Sequence, residues 1–238
     1  MSLEPFPTDW QRALCVVAHP DDLEYGTAAA VAGWTDAGKE VTYLLATRGE
    51  AGISTMDPAQ AGPLREQEER DGAREVGVEE VHFLEGFADG VVEPDLELRR
   101  ALAREIRRVR PELVTTLTHA EAFEGGNLNQ ADHRAVGLSV IDAVAAAGNR
   151  WIFPELVDEG YEPWDGVRWI AVSAAADPTH EIDVTDHFDR AVASLGAHRE
   201  YLTALGPDYP APRELLGEIL AHPEHEGRYR WAARVHGL

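Results

Sequence analysis

Four side chains able to hold a cation or move a proton crowd a single turn in AHPDDLEYG, residues 18–26: His19, Asp21, Asp22 and Glu24. The apolar run ALCVVA (13–18) leads straight into them. A histidine and an aspartate three residues apart, on a turn shaped by Pro20, can converge on one cation. Zinc accepts imidazole nitrogen and carboxylate oxygen and, in catalytic sites, keeps a position for water. Two adjacent aspartates cannot both reach the same ion without strain, so one can ligate while the other holds the water. The competing role is structural: an Asx turn, with Asp22 capping the helix that follows.

Two protein ligands leave such a site incomplete. Asp132-His133, in NQADHRAVG, offers a third at the start of a helix, with a capping Asp132 and a solvent-facing histidine as the alternative. His222 and His225 in HPEHEG form an H-x-x-H pair, but in a turn-like segment near the C-terminus. His119 begins a polar loop, and His198 lies in LGAHREYL on a predicted helix. Other chemistries lack their residues. There is no G-x-S-x-G elbow, no Walker loop, and no G-x-G-x-x-G after the first strand. The one cysteine, Cys15, sits mid-strand, which reads as a small buried hydrophobe and excludes a disulfide or a cysteine zinc cluster.

The elements that must position these residues alternate along the first two thirds of the chain. Strands are predicted at 13–18, 40–47, 81–85 and 112–118, with helices at 26–38, 63–78, 95–111 and 131–148. Residues 48–62 and 119–130 read as loops rich in Gly and polar residues. Repeated strand–helix–strand units imply an α/β fold with a parallel sheet and helices on both faces. Ligands of such sheets bind at the carboxyl ends of the strands. That places the loops beginning at His19, Arg48, Phe87 and His119 around one site. The last third is less regular: strands at 166–175 and 180–185, a helix at 186–206, another at 214–221, and a final segment open between strand and helix. A single domain is expected over 1–238, with a core at 13–148 and an irregular α/β extension at 149–238.

Composition bounds the partners. The 238 residues carry a net charge of −22 with 44% hydrophobic content, enough for a core. So acidic a surface disfavours nucleic acid and anionic membranes. The start MSLEPFPTDWQR is not a signal peptide, and no run approaches a membrane span, so a cytoplasmic protein is expected. Self-association into a homo-oligomer stays open.

Three segments taken together resemble the LmbE/PIG-L-like zinc deacetylases: AHPDDLEYG after the first strand, TRGEAG after the second, and ADHRAVG at a mid-chain helix start. That family includes the deacetylase of mycothiol biosynthesis, its conjugate-amidase relatives and the GlcNAc-phosphatidylinositol de-N-acetylases. The resemblance implies a Rossmann-like fold and a metal-dependent hydrolase acting on an N-acetylated amino sugar. It implies His19, Asp22 and His133 as Zn2+ ligands, a donor set that Fe2+ also suits. It implies Asp21 as general base, Asp132 beside the ligand histidine, Arg65 as a substrate contact and Asp89 as a sugar-hydroxyl contact. Two departures stand out. The family's second motif reads His-Pro-Asp-His, whereas this chain has Gln130-Ala131-Asp132-His133, and Leu23 precedes Glu24 where a glutamate is common. Gln130 can donate a hydrogen bond to an oxyanion but cannot supply a proton. Asp21 then serves as both base and acid, or His119 or His198 replaces the acid. The alternatives are an amidase on a larger sugar-thiol conjugate and a metal-binding relative with impaired catalysis.

Overall fold

The computed structural model describes residues 3–123 and 126–238; residues 124 and 125 of the predicted 119–130 loop lie outside it. The strands are β1 (Glu4–Pro5), β2 (Arg12–Val17), β3 (Glu40–Leu45), β4 (Glu80–Phe83), β5 (Leu113–Leu117), β6 (Trp169–Ser173), β7 (His180–Asp183) and β8 (Arg230–Gly237). They form one sheet in the order β1-β7-β8-β6-β5-β2-β3-β4. The helices are α1 (Thr27–Asp36), α2 (Pro58–Glu75), α3 (Leu96–Val109), α4 (Ala131–Ala147), α5 (Glu155–Asp158), α6 (Phe188–Gly196), α7 (Arg199–Ala204) and α8 (Pro212–Ile219).

The period of two along β2 explains why helices cover both faces. Ala13, Cys15 and Val17 enter one apolar layer, with Ala28–Ala32 of α1, Ala73 of α2, Leu195 of α6 and Leu216 of α8. Leu14 and Val16 enter the other, with Leu98, Leu102 and Ile106 of α3 and Val136, Val140 and Val144 of α4. Burial also pushes the Cys15 thiol up to about 12, so it packs as a hydrophobe and does not react.

Five strands, β4-β3-β2-β5-β6, are parallel, as the alternating pattern requires. From β2 the chain lays down β3 and β4 on one side, then returns through α3 to place β5 on the other side of β2. The crevice at this reversal, outside the carboxyl ends of β2 and β5, is where α/β sheets build sites. The extension completes the sheet with β8, antiparallel to both β6 and β7. Burial of Trp231 and Ala233, two residues apart, marks the open C-terminal segment as a strand. No helix among the described residues is long and apolar enough to cross a membrane.

Two boundaries differ from expectation, and both shape the site. Helix α2 begins at Pro58, not Pro63, because Asp57 accepts a hydrogen bond from Ala59 N at 2.9 Å and Pro58 takes the first turn. Pro63 is absorbed inside the helix. The predicted helix at 186–206 is broken: a 3-10 turn at Thr185–His187, then α6, then α7, with His198 as the residue capping α7. His198, at the break, lies three and four residues beyond the buried Leu195 and Ser194 and is itself fully buried.

Candidate active site

The turn after β2 and the start of α4 meet across the crevice. His19 Nδ1 lies 3.2 Å from His133 Nε2, Asp22 Oδ1 lies 3.0 Å from His133 Nε2, and Asp22 Oδ2 lies 3.6 Å from His19 Nδ1. All three residues are buried and offer ligand atoms within 4.8 Å of one another. Asp22 does not cap α1. Its Oδ2 instead accepts hydrogen bonds from Ala18 N and His19 N, which folds the turn back on itself and aims Oδ1 at the cluster. The residue capping α1 is Gly26, with no side-chain bond.

The surroundings fix which ring nitrogens carry protons. Asn129 donates to Thr118 O at 2.7 Å and Ala120 O at 3.0 Å, so its amide oxygen must face His133 Nδ1, 3.0 Å away. His133 therefore donates from Nδ1 and presents the lone pair of Nε2. His19 Nε2 faces Asp132 Oδ2 at 3.2 Å and Asp89 Oδ1 at 3.1 Å, so it donates there and presents Nδ1. Two lone pairs and a carboxylate then point at one another across about 3 Å. Such an arrangement can hold a cation, and the nitrogen–carboxylate–nitrogen donor set suits a divalent transition metal. Without one, the carboxylates of Asp132, Asp22 and Asp89 overcome the opposing effect of burial and push His19 up to about 12. For Asp22, burial works the other way, but His133 and His19 hold its carboxyl well below the usual range.

Asp132 does not cap α4 either. Its Oδ2 accepts from Gly90 N at 2.7 Å and its Oδ1 from Val92 N at 3.1 Å, tying the loop after β4 to the His19–Asp22–His133 cluster. Asp21 lies on the other side of the turn, 4% exposed, in the left-handed region at φ 87°. Its carboxylate meets Arg65 Nη2 at 3.0 Å, and that guanidinium lies over the Tyr201 ring. Burial pushes Asp21 up to about 7 against the pull of Arg65.

The sequence profile of the PIG-L family, described as GlcNAc-PI de-N-acetylase, matches residues 14–144. The chain belongs to the PIG-L family. This family member is 29% identical to the diacetylchitobiose deacetylase of Thermococcus kodakarensis, over 82% of this chain and 71% of that one. It is 30% identical to the mycothiol S-conjugate amidase of Streptomyces coelicolor, over 92% of each. Among solved structures, the N,N'-diacetylchitobiose deacetylase from Pyrococcus horikoshii superposes with a TM-score of 0.85 at 24% identity, covering 96% of this chain and 85% of that one. That likeness in fold reaches beyond residue 144 into the C-terminal extension.

Within this PIG-L site, His19, Asp22, His133, Asp21 and Asp132 come together as the motifs anticipate. Arg65 and Asp89 are also at the site, but turned inward. Arg65 is 2% exposed and grips Pro20 O, Asp21 and Gly49 O, with its guanidinium 3.8 Å over the Tyr201 ring. The glycines of TRGEAG make room for it: a Cβ at Gly49 or Gly52 would lie 2.3 or 2.4 Å from Arg65 Nη1. Asp89 spends one oxygen on His19 and the other on Ala51 N. Gln130 is the exposed residue preceding α4, with no capping bond from its side chain. His119 and His225 are exposed and His222 is half-buried; the His222 and His225 rings lie 4.5 Å apart, and neither joins a cluster suited to a metal among the described residues.

Sequence reasoning named Glu24 and His198 but missed Asn129, Tyr201 and Glu69, and with Glu69 the group these form behind Asp21: Glu24, Glu69 and His198, all fully enclosed. His198 Nε2 lies 3.8 Å from each carboxylate, too far for a hydrogen bond. Burial pushes Glu24 up to about 8 and Glu69 well above the usual range, and it holds His198 down to about 3. One signal was available. Asn129 and His133 are four apart across a helix start, the spacing at which side chains meet.

Proposed function

We propose that the protein is a metal-dependent N-deacetylase that hydrolyses the acetamide of an N-acetylated amino sugar. His19, Asp22 and His133 hold the metal, and Zn2+ is the ion assigned to them. When bound, the ion lowers the pKa of water and polarises the acyl oxygen. The observation that carries the reading is the pairing of this ligand cluster with Asp21, a buried carboxylate on the adjacent residue with its own clamp. Asp21 accepts a proton from the attacking water, whose oxygen bonds to the acetamide carbon. Gln130, at the rim, donates its amide N–H to the developing oxyanion. As the C–N bond breaks, Asp21 returns the proton to the departing nitrogen, giving free amine and acetate. An acid near neutrality can serve in both directions, which meets the need left by glutamine in place of the family's histidine. Arg65 and Asp89 act here by holding Asp21 and His19.

Relatives support the substrate class: deacetylases of diacetylchitobiose and of an inositol acetamidoglucopyranoside are among them. A second reading, an amidase on a larger sugar conjugate, draws on a cavity of about 430 Å³ beside the site. It is lined by Arg48, Glu50, Gly62 and Phe87. Glu50 also accepts from Asp89 N, which links this cavity to the ligand cluster.

The test is a pair of variants assayed for acetate release and for metal. Asp21→Ala keeps its metal and loses turnover by orders of magnitude, whereas His133→Ala loses the metal. Full turnover in the first, or full metal occupancy in the second, would sink the assignment.

A further inference from the structure

The Pro20–Asp21 peptide group is held at both poles by one helix. Arg65 Nη2 donates to its carbonyl, Pro20 O, at 2.6 Å. Glu69 Oε2 accepts from its N–H, on Asp21, at 3.0 Å. Arg65 and Glu69 are four residues apart on α2, so their side chains leave the same face one turn from each other. The same guanidinium nitrogen also reaches Asp21 Oδ1 at 3.0 Å.

The conformation being held is an uncommon one. Asp21 sits at φ 87°, a region L-residues enter at a cost of about 1–3 kcal/mol, and such strain persists only where neighbours over-determine it. Turning this peptide plane changes Asp21 φ directly and moves its carboxylate off Arg65 Nη2. Glu69 is fully enclosed, and its Oε1 has no hydrogen-bond partner among the described residues. Its nearest titratable neighbours there, Glu24 and His198, also carry unpartnered atoms. A buried carboxyl group with an unpartnered oxygen is expensive to keep for packing alone.

We propose that Glu69 is a positioning residue for the reaction. With Arg65 it forms a clamp on the Pro20–Asp21 peptide that sets the backbone of Asp21 and so aims the general base. The inference rests on the reading of Asp21 as base. What Glu69 contributes is an acceptor at a fixed point, so an isosteric amide can replace it and an apolar isostere cannot.

The experiment compares Glu69→Gln and Glu69→Met in the metal-loaded enzyme. Glu69→Met is expected to lower kcat about 100-fold, as an ångström-scale misplacement of a catalytic group does, with KM within about twofold and metal content unchanged. Glu69→Gln, whose carbonyl can accept the Asp21 N–H, is expected to stay within about threefold of the parent. Unchanged kcat in Glu69→Met overturns the clamp, and so does equal damage in both variants, which would assign the role to charge. If Glu69→Met does not fold, the backbone amide of Asp21 decides. It is expected to be protected from hydrogen–deuterium exchange in the parent and in Glu69→Gln, and free exchange in the parent overturns the proposal. Failure of the underlying reading looks different: Asp21→Asn would then keep its turnover whatever Glu69 does.

Discussion

Asp132 gives the most quantitative handle on how the metal site is built. It is 2% exposed and accepts three hydrogen bonds, from Gly90 N at 2.7 Å, Val92 N at 3.1 Å and His19 Nε2 at 3.2 Å. Asp132→Ala removes all three. The Val92 N–H is left buried without a partner, at a cost of about 1–3 kcal/mol, while the part-buried Gly90 N–H can turn to water. The metal-free fold should therefore lose about 1–3 kcal/mol, read from a urea transition. His19 loses the partner that fixes its ring and tautomer, although Asp89 still reaches Nε2 at 3.1 Å. Losing such a partner lowers metal affinity by about 10- to 100-fold, or about 1.4–2.8 kcal/mol at 1.4 kcal/mol per decade. Asp132→Asn keeps one acceptor oxygen and should fall between the two. Competition against a chromogenic chelator measures the affinity. A metal Kd in Asp132→Ala within twofold of the parent would refute the claim that this carboxylate orients the ligand.

Two further outcomes follow from contacts around Asp21. Gly52→Ala places a Cβ 2.4 Å from Arg65 Nη1, so the guanidinium must shift; kcat should fall about 10- to 100-fold with the fold retained, and an unaltered kcat would refute the cradle role of TRGEAG. In the metal-free protein, burial keeps Asp21 up at about 7 and Glu24 up at about 8. His19 is pushed up to about 12 by neighbouring carboxylates acting against its burial. Each holds its proton in the folded chain at a pH where the unfolded chain has released it. Stability should therefore fall as pH rises from 7 to 8, where His198 is essentially neutral in both states. A urea midpoint that rises across that interval would contradict the protonation pattern.

Much of this site could be read from residue order. The apolar run 13–18 demanded a doubly buried strand, and the polar turn after it had to lie at a sheet end. Helix starts at 26 and 131 followed from local composition, so His19, Asp22 and His133 could be placed at one sheet end from residue order alone. What escaped was non-local. Nothing in LGAHREYL marks the break at 197–198 or the meeting of His198 with Glu24 and Glu69, because both depend on α6 packing over α2. Glu69 reads as a surface charge of a polar helix, and only the turn at Pro20 gives it something to hold. Asp89 and Arg65 were expected to face substrate; their partners are His19 and Asp21, backbone and side chain the motif could not reveal. Strand β8 needed β6 and β7 on either side before its alternation meant more than a helix.

The central claim is metal-dependent hydrolysis of an acetamide at this cluster. The most direct measurement is acetate release from N,N'-diacetylchitobiose and from N-acetylglucosamine, by the protein as purified, after chelation, and after reloading with one equivalent of Zn2+. Stoichiometric acetate and free amine, lost on chelation and restored by the metal, is the predicted result. Acetate release at the same rate from the chelated protein, shown to hold no metal, would contradict it.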